Sequence, residues 1–412
     1  MKSPWIYIFA FAGSLFLHAC QDADREEPDT PRRDIALSTK SVAINRETRR
    51  FSLEFLRLVA GDGETNFCIS PLSASLCMGM ILNGADGETY AEILRVLGYE
   101  GYTNAEINEY VQIMQDELPR LDGKTELTNA NSLWLRESYP VRPEFVEINR
   151  TYYHAEVYNE PFDASTLKRI NQWCSEHTRG LIPEIIDQIP PAAVTYLVNA
   201  LYFKGKWSHA FKKENTREAE FYLAGGSAAR VPMMQQTVTA RYYSDAEVRI
   251  VELPYGNEAF SMILFLSAAP EKTSVSDLLA TLTPEKWDRW TSGFYPASIQ
   301  LSLPRFTLEY KKELNETFEA AGVRQAFDPE LADFTQISDR RPYLSLLRQK
   351  TFIEVDESGT QAAAVTIGGI FDSAVGPDRE PIELRFDHPF GFVIREKSTG
   401  AFIFAGKIGK PI

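Results

Sequence analysis

The chain of 412 residues is 44% hydrophobic and 24% charged, a globular composition able to bury a sizeable core, and length alone leaves open one large domain or several smaller ones. Its 57 acidic and 43 basic side chains give a formal net charge of -14, which disfavours nucleic acid as a partner and leaves no basic stripe for anionic lipid.

Residues 5–17, preceded by Lys2, form an apolar run too short to span a bilayer comfortably, and His18-Ala19-Cys20 follows. The pattern resembles a bacterial lipoprotein signal and predicts export. Residues 1–20 are then the signal segment, Cys20 takes the lipid, and residues 21–39 form a polar, flexible tether. His18 stands where a small residue is usual, so plain secretion with cleavage near Ala19 stays open. The expected location is the cell surface or outer membrane, alternatively the secreted space.

Ile44, Phe51, Phe55, Leu56 and Val59 recur near helical spacing within residues 40–60, and Gly61-Asp62-Gly63 stops that helix. Residues 66–82 begin extended, turn at Ser70-Pro71 and continue as a nearly all-apolar, hence central, helix with Ser70 as N-cap. A further amphipathic helix ends near Leu97-Gly98. Residues 129–135 read as a strand, 144–153 as a helix, 155–158 as a strand and 167–187 as an amphipathic helix. Residues 194–203, almost without polar atoms and rich in β-branched and aromatic types, predict a strand buried on both faces at a sheet centre. Strand-like runs within 218–267 indicate a second, antiparallel sheet. Helices follow within 275–291, extended chain at 298–309, a helix at 312–321 and extended chain at 344–355. Residues 390–395 and 401–406 form an apolar hairpin across a turn at 396–400. No composition break divides the chain after Thr39, so residues 40–412 read as one mixed domain.

Besides Cys20 there are Cys68, Cys77 and Cys174, each among apolar neighbours, which predicts small buried hydrophobes rather than a disulfide framework or metal site. No cofactor is expected. The chain lacks Gly-x-Ser-x-Gly, His-Glu-x-x-His and a phosphate-binding Gly-x-x-x-x-Gly-Lys, and His154, His177, His209 and His388 are scattered. An enzyme is not expected.

Residues 354–369 read Glu-Val-Asp-Glu-Ser-Gly-Thr-Gln-Ala-Ala-Ala-Val-Thr-Ile-Gly-Gly, an acidic turn leading into small residues. Thr360, Ala362, Ala364 and Thr366 share one face at a period of two, none bulky or charged, so the segment suits a strand that is exposed first and buried later. It resembles the reactive-loop hinge of a serpin, a protease inhibitor whose loop inserts into its own large sheet. Residues 66–82 with Ser70 and Ser73 resemble the family's shutter helix, residues 199–207 its third strand and breach, and residues 387–390 and 404–407 its closing strands, all in the family's order.

That resemblance implies an α+β multi-sheet serpin fold. It has a large central mixed sheet, two smaller antiparallel sheets, about eight or nine helices and an exposed reactive-centre loop at about 357–381. Ser70, Ser73 and Asn199 would form a hydrogen-bonded shutter, with Gln349 where the family usually has a histidine. Phe203 and Trp207 would gate the breach. Arg305 would pair with Glu357; an exposed pair of that kind is worth about 0 to 1 kcal/mol, so stability is not expected to rest on it. Glu357, Gly359, Thr360, Ala362, Ala363, Ala364 and Thr366 would form the hinge.

The implied function is a suicide-substrate inhibitor of serine, or cysteine, endopeptidases. Cleavage leaves an acyl-enzyme ester, and at ~3.3 Å per residue an inserting loop of some fifteen residues carries the tethered protease roughly 50 Å. The scissile residue commonly lies sixteen after the glutamate, at Ser373 before Ala374, within a window of Phe371, Asp372, Ser373, Ala374 and Val375. Small and aliphatic residues there favour elastase-like or papain-like targets of a monomeric inhibitor. The alternative is a non-inhibitory binding or structural protein of the same fold.

Overall fold

A computed structural model describes residues 30–360 and 380–411. Helix α1 (Thr39–Ala60) is capped by Ser38, whose hydroxyl accepts from the Ser41 N–H, and buries the apolar stripe read from the sequence. Strand β1 (Asn66–Ile69) leads into α2 (Pro71–Leu82), every residue of which is buried. Then come α3 (Gly87–Leu97), α4 (Asn104–Glu117), β2 (Thr125–Arg136), α5 (Pro143–Tyr153), β3 (Ala155–Glu160), α6 (Ala164–His177) and β4 (Thr195–Lys206). The middle of the chain is β5 (Arg217–Tyr222), β6 (Ala228–Ser244), β7 (Val248–Tyr255), β8 (Phe260–Ser267), α7 (Val275–Ala280), α8 (Pro284–Ser292), β9 (Tyr295–Pro304) and β10 (Phe306–Glu313). Last are α9 (Asn315–Ala321), β11 (Leu346–Val355), β12 (Gly359–Thr360), β13 (Ile382–Arg385), β14 (Phe390–Glu396) and β15 (Phe402–Ile408).

Two sheets organise these elements. The mixed central sheet has the order β10-β11-β12-β4-β2-β3, with β2 parallel to β3 and β4 parallel to β11. The other runs β1-β15-β14-β8-β7-β6-β9-β13, with β5 added to β6. The expected pair of smaller sheets is thus joined, because β6 is 17 residues long and pairs with β5, β7 and β9 along its length. One pair in it, β13 with β9, is parallel. Strand β4 is the central strand that its composition predicts. Leu197, Leu201 and Phe203 face the main core, while Tyr196, Val198 and Ala200 join a second core under α6 with Ile170, Trp173 and Cys174.

Four local readings change. Helix α6 stops at His177 rather than running to 187: Thr178 closes it, Gly180 turns with φ of 80°, and the Asn171 carboxamide accepts from the Ile185 and Ile186 N–H groups, so these isoleucines are buried without a helix. The extended run at 298–309 is two strands of different sheets, parted at Pro304-Arg305. Helix α9 begins at Asn315 rather than 312, since Lys312 still pairs with Gln349. Helix α4 was not read from the sequence, although Thr103 and Glu106 form a capping box ahead of Ile107, Tyr110, Val111 and Met114 at helical spacing.

The segment read as a flexible tether is partly fastened. Ile35 is buried and its N–H donates to Ser398 Oγ, and the Thr30 carbonyl accepts from Asn257 Nδ2. Residues 1–29, including Cys20, lie outside the described residues. Among those described, no helix is long and apolar enough to cross a membrane. Cys68, Cys77 and Cys174 are free and buried, and burial pushes each thiol up to about 12.

Strands β1 and β15 approach closely where Gly406 faces Cys68: a Cβ on Gly406 would lie 2.2 Å from the Phe67 carbonyl oxygen. Backbone cannot swing aside as a side chain can. Gly406→Ala is expected to destabilise the fold by about 1–3 kcal/mol, read as an earlier first transition in urea; an unchanged midpoint would show that the two strands have slack.

Candidate functional site

Two neighbouring groups of the residues singled out from the sequence come together on the central sheet. The first lies where β4 and β11 meet. These strands pair directly over only four rows, Leu346 to Gln349 against Tyr196 to Asn199. At the last of those rows the Gln349 amide grips one residue of the α2 start, Oε1 accepting from Ser70 N at 2.8 Å and Nε2 donating to Ser70 O at 3.0 Å. Ser70 Oγ caps α2 by accepting from Ser73 N, and Ser73 Oγ donates to Asn199 Oδ1. Gln349 therefore fills both donor and acceptor roles open to an amide.

The cluster extends beyond those residues. Asn199 Nδ2 forks to Asn129 Oδ1 (2.6 Å) and Asn131 Oδ1 (2.7 Å) on β2. Asn129 Nδ2 donates to Gln115 Oε1 on α4, and Gln115 Nε2 and Asn131 Nδ2 share the Tyr153 carbonyl at the end of α5. Sequence reasoning missed Asn129, Asn131 and Gln115. The available signal was two asparagines, a strand period apart, on the strand face that also carries Leu127, Leu133 and Leu135.

The second group surrounds the hinge. Above Asn199 and Gln349 the two strands are next bridged by β12, whose Thr360 pairs with Val355 on one side and Gly205 on the other, both antiparallel. Asp356 forms the turn before it, its Oδ1 accepting from Ser358 N, Ser358 Oγ and Gly359 N. Trp207 holds that turn by donating from N to Ser358 O and from Nε1 to Asp356 O, and Phe211 N donates to Glu357 O. Gly359 has φ of 154°, and a Cβ there would sit 2.1 Å from the Gly205 carbonyl oxygen, so only glycine fits. Beneath the row, the Tyr255 ring stacks on Trp207 (4.4 Å, 10°) and meets Phe203 edge-on (5.3 Å, 71°). Its hydroxyl is 2.6 Å from Thr360 Oγ1.

Glu357 and Arg305 do pair, Nη2 to Oε1 at 3.0 Å, but not as an exposed couple. The carboxylate side chain is 4% exposed, against 47% for the arginine, and it also accepts from Thr216 Oγ1 at 2.7 Å. Burial alone would raise the Glu357 pKa. Hydrogen bonds from Thr216 and its own backbone, with the charges of Arg305 and Lys213, outweigh burial and hold it below its ordinary 4.5.

Ala362, Ala363, Ala364, Thr366 and the window Phe371, Asp372, Ser373, Ala374 and Val375 lie outside the described residues. The histidines do not converge. His154 pairs with Asp116 beside α4, His177 with Glu156 beside α6 and His388 with Asp387 before β14.

Known proteins match this arrangement over most of the chain. The family model described as Serpin (serine protease inhibitor) matches residues 46–411. Neuroserpin of Homo sapiens is 31% identical over 368 residues, covering 86% of this chain and 88% of that protein. Leukocyte elastase inhibitor of Homo sapiens is 33% identical over 381 residues, covering 89% and 99%. The crystal structure of the thermophilic serpin tengpin in its native state superposes with a TM-score of 0.83 at 33% identity, covering 92% of this chain and 97% of that one. With hinge, slot and amide cluster in one central sheet and a family match from Arg46 to near the last residue, the chain belongs to the serpins, the family of serine protease inhibitors.

Proposed function

We propose that the protein is a suicide-substrate inhibitor of endopeptidases, trapping its target by inserting the cleaved loop between β11 and β4. One observation carries the reading: β12 is wedged between those strands at Thr360, and below it they carry no mutual pairing until Gln349 and Asn199. The slot has the width of one strand, because β12 already occupies its mouth with partners on both sides. A loop severed beyond the hinge continues that strand downward and gains backbone hydrogen bonds to edges of β4 and β11 that have no partner among the described residues. The protease, joined to the loop by an acyl ester, travels with it.

Roles follow from the contacts. Ser70, Ser73, Asn199 and Gln349 form the shutter, where amides and hydroxyls exchange partners as strands part and no interlocked apolar side chains must unpack. Trp207, Phe203 and Arg305 hold the breach, and Glu357, Gly359 and Thr360 the near half of the hinge. Ser373 is the proposed scissile residue. The small residues Ser373 and Ala374 and the aliphatic Val375 suit an elastase-like or papain-like protease, in keeping with the name of the leukocyte elastase inhibitor that the chain is similar to. The protein acts as a monomer after export, held at the cell surface by a lipid on Cys20 or, if cleaved near Ala19, released.

Incubation with elastase should give a complex that survives denaturing gels; clean cleavage of the inhibitor without complex would leave a non-inhibitory member of the fold. A loop nicked without a trapped protease should insert as well. About ten new hydrogen bonds at roughly 1 kcal/mol each correspond to a melting temperature higher by more than about 10 °C, and equal melting points for nicked and intact protein would end the insertion reading.

Thr360 already sits in the sheet between Val355 and Gly205 and is 2% exposed, so a long cation there would displace the start from which the strand continues. Thr360→Arg should turn the protein from inhibitor to substrate, with cleavage intact and complex lost; unchanged inhibition would show that a small side chain at this position is not required.

Acid should loosen the hinge. Because the Glu357 pKa is lowered on folding, its contribution is complete above the ordinary 4.5 and is lost as pH falls through the folded value. Proteolytic sensitivity of the 356–360 turn is expected to stay flat from neutral pH down to the ordinary 4.5 and to rise only below it. Glu357→Gln should remove that rise; a profile identical to wild type would place the acid response elsewhere.

A further inference from the structure

Tyr255 belongs to the nine-stranded sheet, yet its hydroxyl reaches through to the central one and meets the hinge. It is fully buried, its ring is fixed between Trp207 and Phe203, and the hydroxyl lies 2.6 Å from Thr360 Oγ1. We infer that Tyr255 is a positioning residue that sets the register in which the loop enters the central sheet, by holding the hydroxyl of Thr360. The inference rests on the insertion reading above.

Backbone pairing does not choose a register by itself. A strand entering between β4 and β11 makes equivalent ladder bonds if it starts one residue early or late, whereas a slip of one turns its opposite face inward. In the observed register Thr360 faces Tyr255, so a strand continued from it on insertion would put Ala362, Ala364 and Thr366 on the same face. A slip would send Gln361, Ala363 and Val365 inward instead and bury a long amide and a β-branched side chain in a slot with no cavity prepared for them. It would also leave the hydroxyl of Tyr255 buried without its partner, which disfavours the slipped state.

The same register makes both walls of the slot close together. Thr360 stands opposite Val355 and Gly205, and each lies six residues beyond its own member of the closing row, Gln349 and Asn199. A strand pinned at Thr360 therefore reaches both amides at one row and parts them symmetrically. The close approach of Gly359 to Gly205 limits movement of the backbone across the strands. The hydroxyl pair limits movement along them, which packing against glycine cannot do.

The test uses the full-length inhibitor and a protease that it traps, and measures the number of inhibitor molecules consumed per protease trapped. Tyr255→Phe keeps the ring stack and removes only the hydroxyl. It should raise that number by about three- to tenfold, the range a single hydrogen bond supports, and so should Thr360→Val. Thr360→Ser should restore it to within about twofold of wild type. In Tyr255→Phe with Thr360→Val neither hydroxyl is left unpaired, so the double variant should be no worse than the poorer single one. A merely structural Tyr255 would lower the melting temperature of the intact protein and leave the ratio unchanged, and that result overturns the inference. So does an additive double variant. If wild type traps no protease at all, the insertion reading falls and takes this inference with it; if wild type traps normally and Tyr255→Phe does too, only the role of Tyr255 falls.

Discussion

The partial pairing of β4 with β11 is the constraint on which the rest of the structure depends. Two parallel strands side by side ordinarily satisfy one another along their whole shared length, since unpaired backbone polar groups inside a protein are costly. Here they pair from Leu346 to Gln349 and then separate, and among the described residues β12 alone bridges the space above. The sheet thus holds an unmet demand for a strand. In the proposed mechanism the strand that meets this demand comes from the chain's own sequence beyond Thr360. On that reading covalent continuity is the obstacle to a better-paired sheet, and cutting the loop would remove it.

Where β4 and β11 meet, side-chain chemistry changes. The closing row is made of amides and hydroxyls: Gln349 on Ser70, Ser73 on Asn199, and Asn199 on Asn129 and Asn131. Each group donates and accepts, so a broken bond can be replaced by another of similar strength. Away from that row the faces of β4 are apolar, against the main core on one side and against α6 on the other. The open rows and the polar row together define a path with a marked end. At the mouth, steric and electrostatic contacts reinforce one another. Gly359 against Gly205 brings two backbones within reach, Trp207 ties the turn, and buried Glu357 is satisfied by Thr216 and Arg305. An exposed ion pair would restrain this turn little, whereas a buried carboxylate with three kinds of donor has few alternatives.

Much of this was legible in the chain. Ser70-Pro71 announced the start of α2 because a hydroxyl cap and a fixed φ act locally. The central position of β4 followed from a run apolar on both faces. Helix α6 was read too long because buried isoleucines at 182, 185 and 186 mimic helical spacing, while the true end is set by Thr178, Gly180 and a side chain fourteen residues back. The joining of the two smaller sheets was not legible, since β6 carries no break in composition where it changes partners.

Composition, periodicity and caps determined, from the sequence by itself, the type of most helices and strands and that β4 is buried on both faces, because those properties depend on neighbours within a turn or a strand pair. Tertiary structure alone decided that β4 and β11 part above Asn199 and Gln349, that Glu357 is buried, that Asn129, Asn131 and Gln115 complete the amide cluster, and that Tyr255 reaches Thr360. Those contacts join residues far apart in the chain, and no local spacing encodes a distance that is set only when separate elements pack together.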